Sequence, residues 1–480
     1  MNISFAQRLG PRLRFHGRYG AHPALRAGRH ILEHPAQSPY SQDISRVLGA
    51  KSHTTAPFDP DDRTHPAPPA RTGYPRAMTV SHWWRSPSPP ETSHDAVVVG
   101  AGICGIGVAL ALERRGLDVV LLDRAHPGAG ASGRNAGFLM RGCAENYHAA
   151  IETYGRDRAR ELWRITEENL DALRAEGVAD LPSYRAVPSC LLAYTDEEHA
   201  ALRRSLDLLR EDGFDAEWLD DHDDAAWRPA SSTHRPRGAL VNPHDASVNP
   251  VDLLRALTAK LRTPVRTNEE VDAIITSESV GHVRTAAHTY TAPRVFLCVN
   301  AYARLLAPAL GALVRPTRGQ MLALRAPGAR LDMSYYANNG YEYFRQNTDG
   351  SIVVGGCRKR HAHTEVGYED ATTPEVQADL EAFARAVFGA DIDVTARWSG
   401  VMGFSPDGVP LVGPVSLENG VLEPGSPVWL CAGFTGHGMS MAWRTAQLAV
   451  GAALDGAHNP FPIDRVHAHA PRTHEGAARG

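Results

Sequence analysis

The sequence predicts an α/β fold in which a parallel-sheet domain is interleaved with an antiparallel-sheet domain. Two stretches with the order strand, glycine turn, helix, at residues 94–123 and 428–454, predict the parallel-sheet domain. Between them, residues 341–356 alternate around an Asp-Gly turn, which predicts an antiparallel hairpin. The chain has 480 residues, of which 43% are hydrophobic and 22% charged, so it is long enough to bury two cores.

The first stretch begins with an apolar run at residues 96–99, whose β-branched side chains predict a buried strand of a parallel sheet. A G-x-G-x-x-G turn follows directly, at Gly100, Gly102 and Gly105. In such a turn the glycines permit a tight bend, a close approach of the backbone to a pyrophosphate, and close packing of the next helix. The turn therefore predicts the start of a Rossmann-like dinucleotide-binding domain.

A helix and a second strand complete this unit. The helix is predicted over residues 106–115, with Gly116 as its stop, and the strand over residues 119–122. Asp123 follows the strand and stands 21 residues after Gly102, where a carboxylate would accept hydrogen bonds from ribose hydroxyls. The complete order favours a dinucleotide site over a plain packing unit.

A second loop of small residues lies at residues 128–137, where a nicotinamide enzyme would ordinarily continue into another strand and helix. Its predicted cofactor contacts are Ser132, Gly133, Arg134, Asn135 and Gly137. This loop resembles the hallmark of the FAD-dependent amine and amino-acid oxidases, which include D-amino acid oxidase, glycine oxidase and monomeric sarcosine oxidase. The resemblance covers about residues 79–456 and implies FAD as the cofactor. Non-covalent FAD is expected, because Val401 or Met402 stands where relatives that attach flavin have a cysteine.

The second strand-turn-helix stretch has a predicted strand at residues 428–432 and a helix at residues 439–454. Bare amides at a helix N-terminus bind negative charge, and the resemblance implies that these face the N1/C2-oxygen end of the flavin. His437 is predicted to assist them as a catalytic residue, or else to cap the turn. The further predicted cofactor residues are Val271, Asn300, Gly433, Thr435, Gly436, His437 and Gly438.

The hairpin at residues 341–356 carries the predicted substrate residues. Strand alternation places Tyr341, Tyr343 and Arg345 on one face. An arginine binds a carboxylate through two parallel hydrogen bonds, while the phenol rings exclude water. Relatives carry a carboxylate-binding arginine in a similar Y-x-x-P-R strand, although Phe344 replaces the proline here. The alternative for Arg345 is a structural ion pair.

Lys359 lies in a basic cluster just after this hairpin. It resembles a lysine of the sarcosine oxidases that helps oxygen react at the flavin, with the spacing different by one residue. The alternative is that the cluster is solvated, as charge runs usually are.

Composition limits the classes of partner. A net charge of −4 indicates neither nucleic-acid binding nor a polybasic membrane surface. The six cysteines show no C-x-x-C pair and no metal-ligand spacing, so we expect buried free thiols, no metal and a cytoplasmic location. The longest uncharged run, at residues 96–112, is too short for a transmembrane helix and is broken by the glycines.

Helical periodicity predicts scaffold helices at residues 146–177 and 196–211. Asn249 and Pro250 are expected to begin a further helix that runs to residue 261, and a strand is predicted at residues 264–267. The acidic cluster around His222, comprising Asp220, Asp221, Asp223 and Asp224, is expected to be a solvated face rather than a metal site.

The predicted domain organisation is discontinuous. Residues 1–78 are Arg- and Pro-rich with no acid before Glu33, which predicts a disordered leader; a targeting peptide, or a true start at Met78, are the alternatives. The FAD-binding domain is predicted over residues 79–145, 238–311 and 396–457. The substrate domain is predicted over residues 146–237 and 312–395, followed by a polar tail at residues 458–480.

The resemblance implies an enzyme that oxidises the C–N bond of an amine or amino acid to an imine by hydride transfer to flavin N5, with O2 as the expected acceptor. Three segments resemble γ-glutamylputrescine oxidases: 340–345, 366–370 and 433–438. Two alternatives stay open: a dehydrogenase that passes electrons to a quinone or an electron-transfer partner, and a flavin-binding subunit with little chemistry of its own.

Overall fold

The structure is a computed structural model that describes residues 90–220, 235–277 and 279–466. The predicted leader at residues 1–78, four of the five residues of the acidic cluster, and the end of the tail from residue 467 lie outside the described residues. Among the residues described, no helix combines the length and the apolar composition that crossing a membrane requires.

The strands, in chain order, are β1 Glu91–Ser93, β2 Ala96–Val99, β3 Val119–Leu122, β4 Phe138–Leu139, β5 Ser189–Ala193, β6 Glu217–Asp220, β7 Gly238–Asn242, β8 Ala246–Ser247, β9 Val271–Thr276, β10 Gly281–Thr285, β11 Thr289–Ala292, β12 Val295–Leu297, β13 Arg315–Arg325, β14 Ser334–Ala337, β15 Glu342–Gln346, β16 Ile352–Gly356, β17 Asp393–Phe404, β18 Leu411–Pro414 and β19 Val428–Ala432. The α-helices are α1 Ile103–Glu113, α2 Tyr147–Tyr154, α3 Arg156–Ala175, α4 Asp196–Glu211, α5 Pro250–Thr258, α6 Ala303–Leu306, α7 Pro374–Phe388 and α8 Gly438–Asp455.

A five-stranded sheet in the order β18-β19-β12-β2-β3 forms the first layer. Its four strands from β19 to β3 pair in parallel, and only the edge strand β18 is antiparallel. Every residue of β2 and β3 is buried, which explains their uninterrupted apolar sequence. Helices α1 and α8 pack together on this sheet, where a Cβ at Gly107 would lie 2.9 Å from Ala446. This is the predicted Rossmann-like layer.

An eight-stranded sheet in the order β17-β13-β16-β15-β14-β5-β7-β6 forms the second layer. Its strand pairs are antiparallel except for β14 with β5. Helix α7 packs on one face of it through Leu380 and Phe383. The predicted Asp-Gly hairpin joins β15 to β16, with Gly350 at φ +82°. The α/β fold class, with two interleaved sheets, is therefore confirmed.

Two boundaries of the predicted domains fall inside the second sheet. Strands β7 and β17 lie in the eight-stranded sheet, so residues 238–242 and 396–404 do not belong to the parallel layer. The predicted polar tail is also partly wrong, because Phe461 and Ile463 are fully buried and the N–H of Val412 donates to the Phe461 carbonyl. Local composition did not reveal these tertiary pairings.

Four elements differ from the sequence expectations, of which one is helix α5, which ends at Thr258 rather than at residue 261. The predicted helix over residues 146–177 is two helices, α2 and α3, because Gly155 adopts φ +83° between them. Helix α1 begins at Ile103, three residues earlier than predicted, so it includes Gly105. No strand forms at residues 264–267, where Arg266 makes one isolated bridge to Leu122.

Candidate active site

The first glycine turn lies where β2 ends and α1 begins, at the carboxyl edge of the parallel layer. Gly100 has φ +102°, and a Cβ there would lie 2.8 Å from the carbonyl oxygen of Cys298. A Cβ at Gly105 would lie 1.8 Å from the carbonyl oxygen of Gly100. Both positions therefore require glycine, and the turn presents bare backbone at the N-terminus of α1, as a dinucleotide pyrophosphate needs.

Asp123 holds this turn in place. Its Oδ2 accepts from the Ala101 N–H at 2.8 Å, and its Oδ1 accepts from the Ala125 N–H at 2.8 Å. The Glu269 N–H donates to the Asp123 carbonyl, and Val271 follows two residues later as a buried residue at the start of β9. The acid thus lies at the end of β3 beside the glycine turn, as the sequence predicts; its ribose contact and a cofactor contact of Val271 stay predictions.

The second small-residue loop is tied to the first turn. The Ile103 N–H donates to Ser132 Oγ at 3.1 Å, and a Cβ at Gly133 would lie 2.3 Å from the Gly128 carbonyl oxygen. Asn135 closes the loop on itself, since its Oδ1 accepts from the Gly137 N–H at 2.7 Å. The loop therefore contacts the N-terminus of α1, and its residues are half-buried or buried.

Arg134 joins this loop to the second layer. Its Nε donates to the Ala129 carbonyl at 2.7 Å, while Nη1 contacts Asp370 at 2.7 Å and the Ser399 carbonyl at 3.1 Å. The guanidinium is therefore already paired within the chain, and its stem lines the site.

The second predicted glycine turn follows β19. Gly433 and Gly436 have positive φ, at +77° and +81°, and Thr435 lies between them at +46°. The Thr435 N–H donates to the Gly403 carbonyl, and Asn300 Oδ1 accepts from the Gly433 N–H at 2.9 Å. Asn300 thus fixes the turn rather than lining the cavity described next. Helix α8 begins directly after it, at Gly438, with its first amides beside the turn.

A cavity of about 130 Å³ opens between the two layers. It brings together eight of the predicted site residues: Arg134, Asn135, Gly137, Tyr341, Tyr343, Thr435, Gly436 and His437. None of the described residues that line it is Asp or Glu. The second small-residue loop, the glycine turn after β19 and the aromatic residues of the eight-stranded sheet therefore meet around a single space.

Aromatic rings form the wall on the side of the eight-stranded sheet. Tyr336 pairs with Tyr343 across β14 and β15, their rings stack at 5.6 Å, and the Phe138 ring meets Tyr336 edge-on at 5.0 Å. Burial raises the pKa of Tyr343 to about 12, so this phenol is neutral near pH 7. The sequence analysis missed Tyr336, because the strand that carries it was not predicted.

Arg345 does not line the cavity, so its predicted role in binding the substrate carboxylate is corrected here. Its side chain is 2% exposed. Nε donates to the Ala136 carbonyl, Nη2 to the Val248 carbonyl at 2.9 Å, and Nη1 to Asn347 Oδ1 at 2.8 Å. Strand alternation did place Arg345 on the same side as Tyr343, but the backbone at Ala136 covers it. Its three donor nitrogens are used within the chain.

Lys359 also lies outside the cavity lining. It is exposed in a short 3₁₀ helix, with its ammonium 5.2 Å from the centroid of the Tyr341 ring. The preceding residue, Arg358, lines the cavity instead and lies 5.2 Å from the centroid of the Phe404 ring. Among the residues described, no carboxylate forms an ion pair with Arg358. No strand pattern in the sequence identifies Arg358, because β16 ends at Gly356 and Cys357 adopts φ +55°.

His437 lies at the N-terminus of α8 with its ring in the cavity wall. Its Nδ1 lies 3.1 Å from the Thr435 carbonyl oxygen. A carbonyl only accepts, so Nδ1 carries the proton and, in the neutral ring, Nε2 bears a lone pair. Burial lowers the pKa of His437, which favours this neutral form. From the sequence, His437 was expected to help stabilise negative charge on the flavin. The neutral ring cannot do so through Nε2, because this nitrogen has no proton to donate.

The sequence profile of the DAO family, described as FAD dependent oxidoreductase, matches residues 95–452. The chain belongs to this family. It is therefore an FAD-dependent oxidoreductase, and the glycine turns after β2 and β19 are the parts of the structure that fit its cofactor.

Two relatives illustrate the range of the family. The chain is 26% identical over 406 residues to gamma-glutamylputrescine oxidoreductase of Escherichia coli (strain K12), covering 80% of this chain and 91% of that protein. It is also 26% identical over 330 residues to glycine oxidase of Geobacillus kaustophilus, covering 67% of this chain and 84% of that protein.

Solved structures confirm the fold. Glycine oxidase from Geobacillus kaustophilus superposes with a TM-score of 0.64 at 22% identity, covering 78% of this chain and 99% of that one. L-proline dehydrogenase from P. horikoshii superposes with a TM-score of 0.61 at 19% identity, covering 78% and 96%.

Proposed function

We propose that this enzyme oxidises the C–N bond of an amine that also carries a carboxylate, with non-covalent FAD as the hydride acceptor. The observation that supports the proposal is the charge of the cavity wall. It contains Arg358 without a carboxylate partner among the described residues and no acidic side chain. A polyamine bearing several positive charges would meet no counter-charge there, whereas an amino acid would neutralise Arg358.

Each polar group of the wall has a role in this proposal. Arg358 binds the substrate carboxylate, and its position beside the Phe404 ring limits where its guanidinium can lie. The Tyr336 and Tyr343 rings exclude water from the reacting carbon. His437 Nε2 accepts a proton from the substrate ammonium, since only the neutral amine has the lone pair that drives hydride loss.

FAD supplies the two-electron acceptor when it is bound. The turns at Gly100 and Gly433 orient it, and the first amides of α8 lie where they can stabilise negative charge. The remaining contribution of the chain is to hold the substrate carbon close to the cofactor in one orientation.

The test is an anaerobic titration of the purified holoenzyme, following the flavin absorbance. Each carboxylate substrate is paired with its analogue lacking that group: glycine with methylamine, sarcosine with dimethylamine, proline with pyrrolidine, and γ-glutamylputrescine with 4-aminobutanoylputrescine. We expect bleaching by at least one carboxylate member and none by its partner. Equal bleaching by both members of a pair, or no bleaching by any compound, would contradict the proposal.

Readmission of air to the bleached enzyme identifies the acceptor. We propose O2, in which case the absorbance returns and hydrogen peroxide appears. A dehydrogenase is the second candidate, because Lys359 lies outside the cavity lining and the oxygen-reactive role inferred for it loses its geometric support. A bleached band that persists in air and returns with a quinone would establish that alternative.

A further inference from the structure

Three cysteines from distant parts of the chain meet beneath the FAD-binding turns. Cys104, Cys298 and Cys431 have sulfur atoms that all lie within 4.8 Å of one another. They are 5%, 6% and 0% exposed. They form the one such group of potential metal ligands among the residues that the structure describes.

Their positions follow from the fold. Cys104 lies in the first turn of α1, Cys298 directly follows β12, and Cys431 lies in β19, which pairs with β12. The Cys298 N–H donates to the Val99 carbonyl at 2.8 Å, which fixes it next to β2. Because these elements are held by the parallel layer, the three sulfurs are brought together before any ligand binds.

We propose that Cys104, Cys298 and Cys431 form a three-thiolate site for a soft monovalent cation, Cu(I). Thiolates select soft ions, and Cu(I) accepts three sulfur ligands. A trigonal ion with metal–sulfur bonds of about 2.3 Å holds its sulfurs about 4 Å apart, within the spacing found here. A structural zinc site needs a fourth ligand, and no His, Asp or Glu joins the group among the described residues.

Local electrostatics support a thiolate at this place. The N-terminus of α1, whose first turn contains Cys104, favours negative charge. On binding, each thiol releases one proton to the buffer and each sulfur forms one bond to copper; no electron is transferred.

The test is an anaerobic titration of the full-length holoenzyme with Cu(I) in competition with a coloured Cu(I) chelator. We expect one Cu(I) per chain, and sulfur-only coordination by three ligands in X-ray absorption. Cys104→Ala, Cys298→Ala and Cys431→Ala should each weaken Cu(I) binding at least 10-fold. The matched control is Cys190→Ala, a buried cysteine in β5 outside the group, which should bind Cu(I) as the parent does.

Retention of yellow FAD shows that each variant is folded, and alanine is close to cysteine in volume. Should one variant lose FAD, the other two keep the test decisive. The proposal is overturned if the parent holds no Cu(I) against the chelator, or if the triple alanine variant binds it as tightly as the parent. Amine oxidation is not measured, so this outcome is independent of the proposed substrate.

Discussion

Two arginines, one in β15 and one just after β16, illustrate how a side chain's surroundings decide its role. Arg345 is buried and donates to two backbone carbonyls, and burial together with Arg185 lowers its pKa to about 10. Arg358 lies in the cavity wall beside the rings of Tyr341 and Phe404. The same guanidinium therefore fixes the backbone in one place and is available to a ligand in the other.

Replacement of Arg358 tests the proposed carboxylate contact. For Arg358→Met we expect KM for the best amino-acid substrate to rise roughly 10- to 100-fold, because a charge-assisted hydrogen bond contributes roughly 1.5–3 kcal/mol. The control is Arg360→Met, whose side chain is 83% exposed and should leave KM unchanged. Steady-state kinetics with both variants provide the measurement. An unchanged KM for Arg358→Met would remove this residue from substrate binding.

His437 gives the reaction a pH dependence with a defined sign. Because burial lowers its pKa below the ordinary value of 6.5, the ring stays neutral at pH 7 and is protonated only in more acidic solution. The hydrogen bond to the Thr435 carbonyl opposes this effect of burial on the pKa without outweighing it. Flavin reduction should therefore be maximal above pH 6.5 and fall as the pH drops through the lowered pKa.

Stopped-flow reduction of the parent and of His437→Ala across pH 5–9 measures this effect. The variant should lose the acidic limb and reduce its flavin roughly 100-fold more slowly, as removal of a general base commonly does. An identical acidic limb in both proteins would show that another group is the acceptor.

At the scale of elements, the active site is built where the carboxyl ends of β2 and β19 meet the N-termini of α1 and α8. Both turns depend on residues with no room for a side chain or with positive φ, at Gly100, Gly105 and Gly433. The eight-stranded sheet then supplies the opposite wall. The proposed cofactor site thus depends on local turns, while the proposed substrate surface depends on how the two sheets pack.

Gly102 is the position in the first turn where a side chain would act on the cofactor contacts most directly. A Cβ there would lie 3.0 Å from Ser132 Oγ, which accepts from the Ile103 N–H, so valine would force these two turns apart. We expect Gly102→Val to be purified without FAD. The control is Gly451→Ala in α8, where the new Cβ would make an ordinary 3.5 Å contact with Ala457. A Gly102→Val protein as yellow as the parent would contradict the placement of FAD.

At the scale of the whole molecule, polar contacts join the eight-stranded sheet, and the segment at residues 357–373 that follows β16, to the loops around the parallel layer. Arg345 makes two of them, to Ala136 and Val248, and Arg134 makes another to Asp370. Arg318 and Glu365, both buried, form a bidentate pair that holds the segment leading to Asp370. These contacts hold the two walls of the cavity in a fixed position relative to each other.

Loss of Arg345 should therefore affect stability rather than substrate binding. We expect Arg345→Met to lower the free energy of unfolding by roughly 2–4 kcal/mol, because buried carbonyls lose their donors. Urea denaturation with the flavin signal measures the loss, and KM should change less than threefold in the folded variant. A large rise in KM at unchanged stability would instead restore Arg345 as a substrate residue.

The sequence predicted those features that depend on contiguous residues. Strand β2, the turn at Gly100 to Gly105, and Asp123 form one local unit, so propensity and spacing suffice to find it. The hairpin around Gly350 was found for the same reason. Asn300 was identified as a cofactor residue by resemblance alone, and the structure shows that its side chain supports the turn at Gly433.

Only the tertiary structure decided which side chains face the cavity and which are covered. Arg345 is withdrawn from it because the carbonyls of Ala136 and Val248, more than 90 residues away in sequence, lie against it. The three cysteines at residues 104, 298 and 431 meet for the same reason. The sequence by itself determined the family and the two glycine turns that we propose hold FAD, since these are local patterns. The substrate wall and the thiol cluster arise where distant segments pack, and no local pattern encodes that contact.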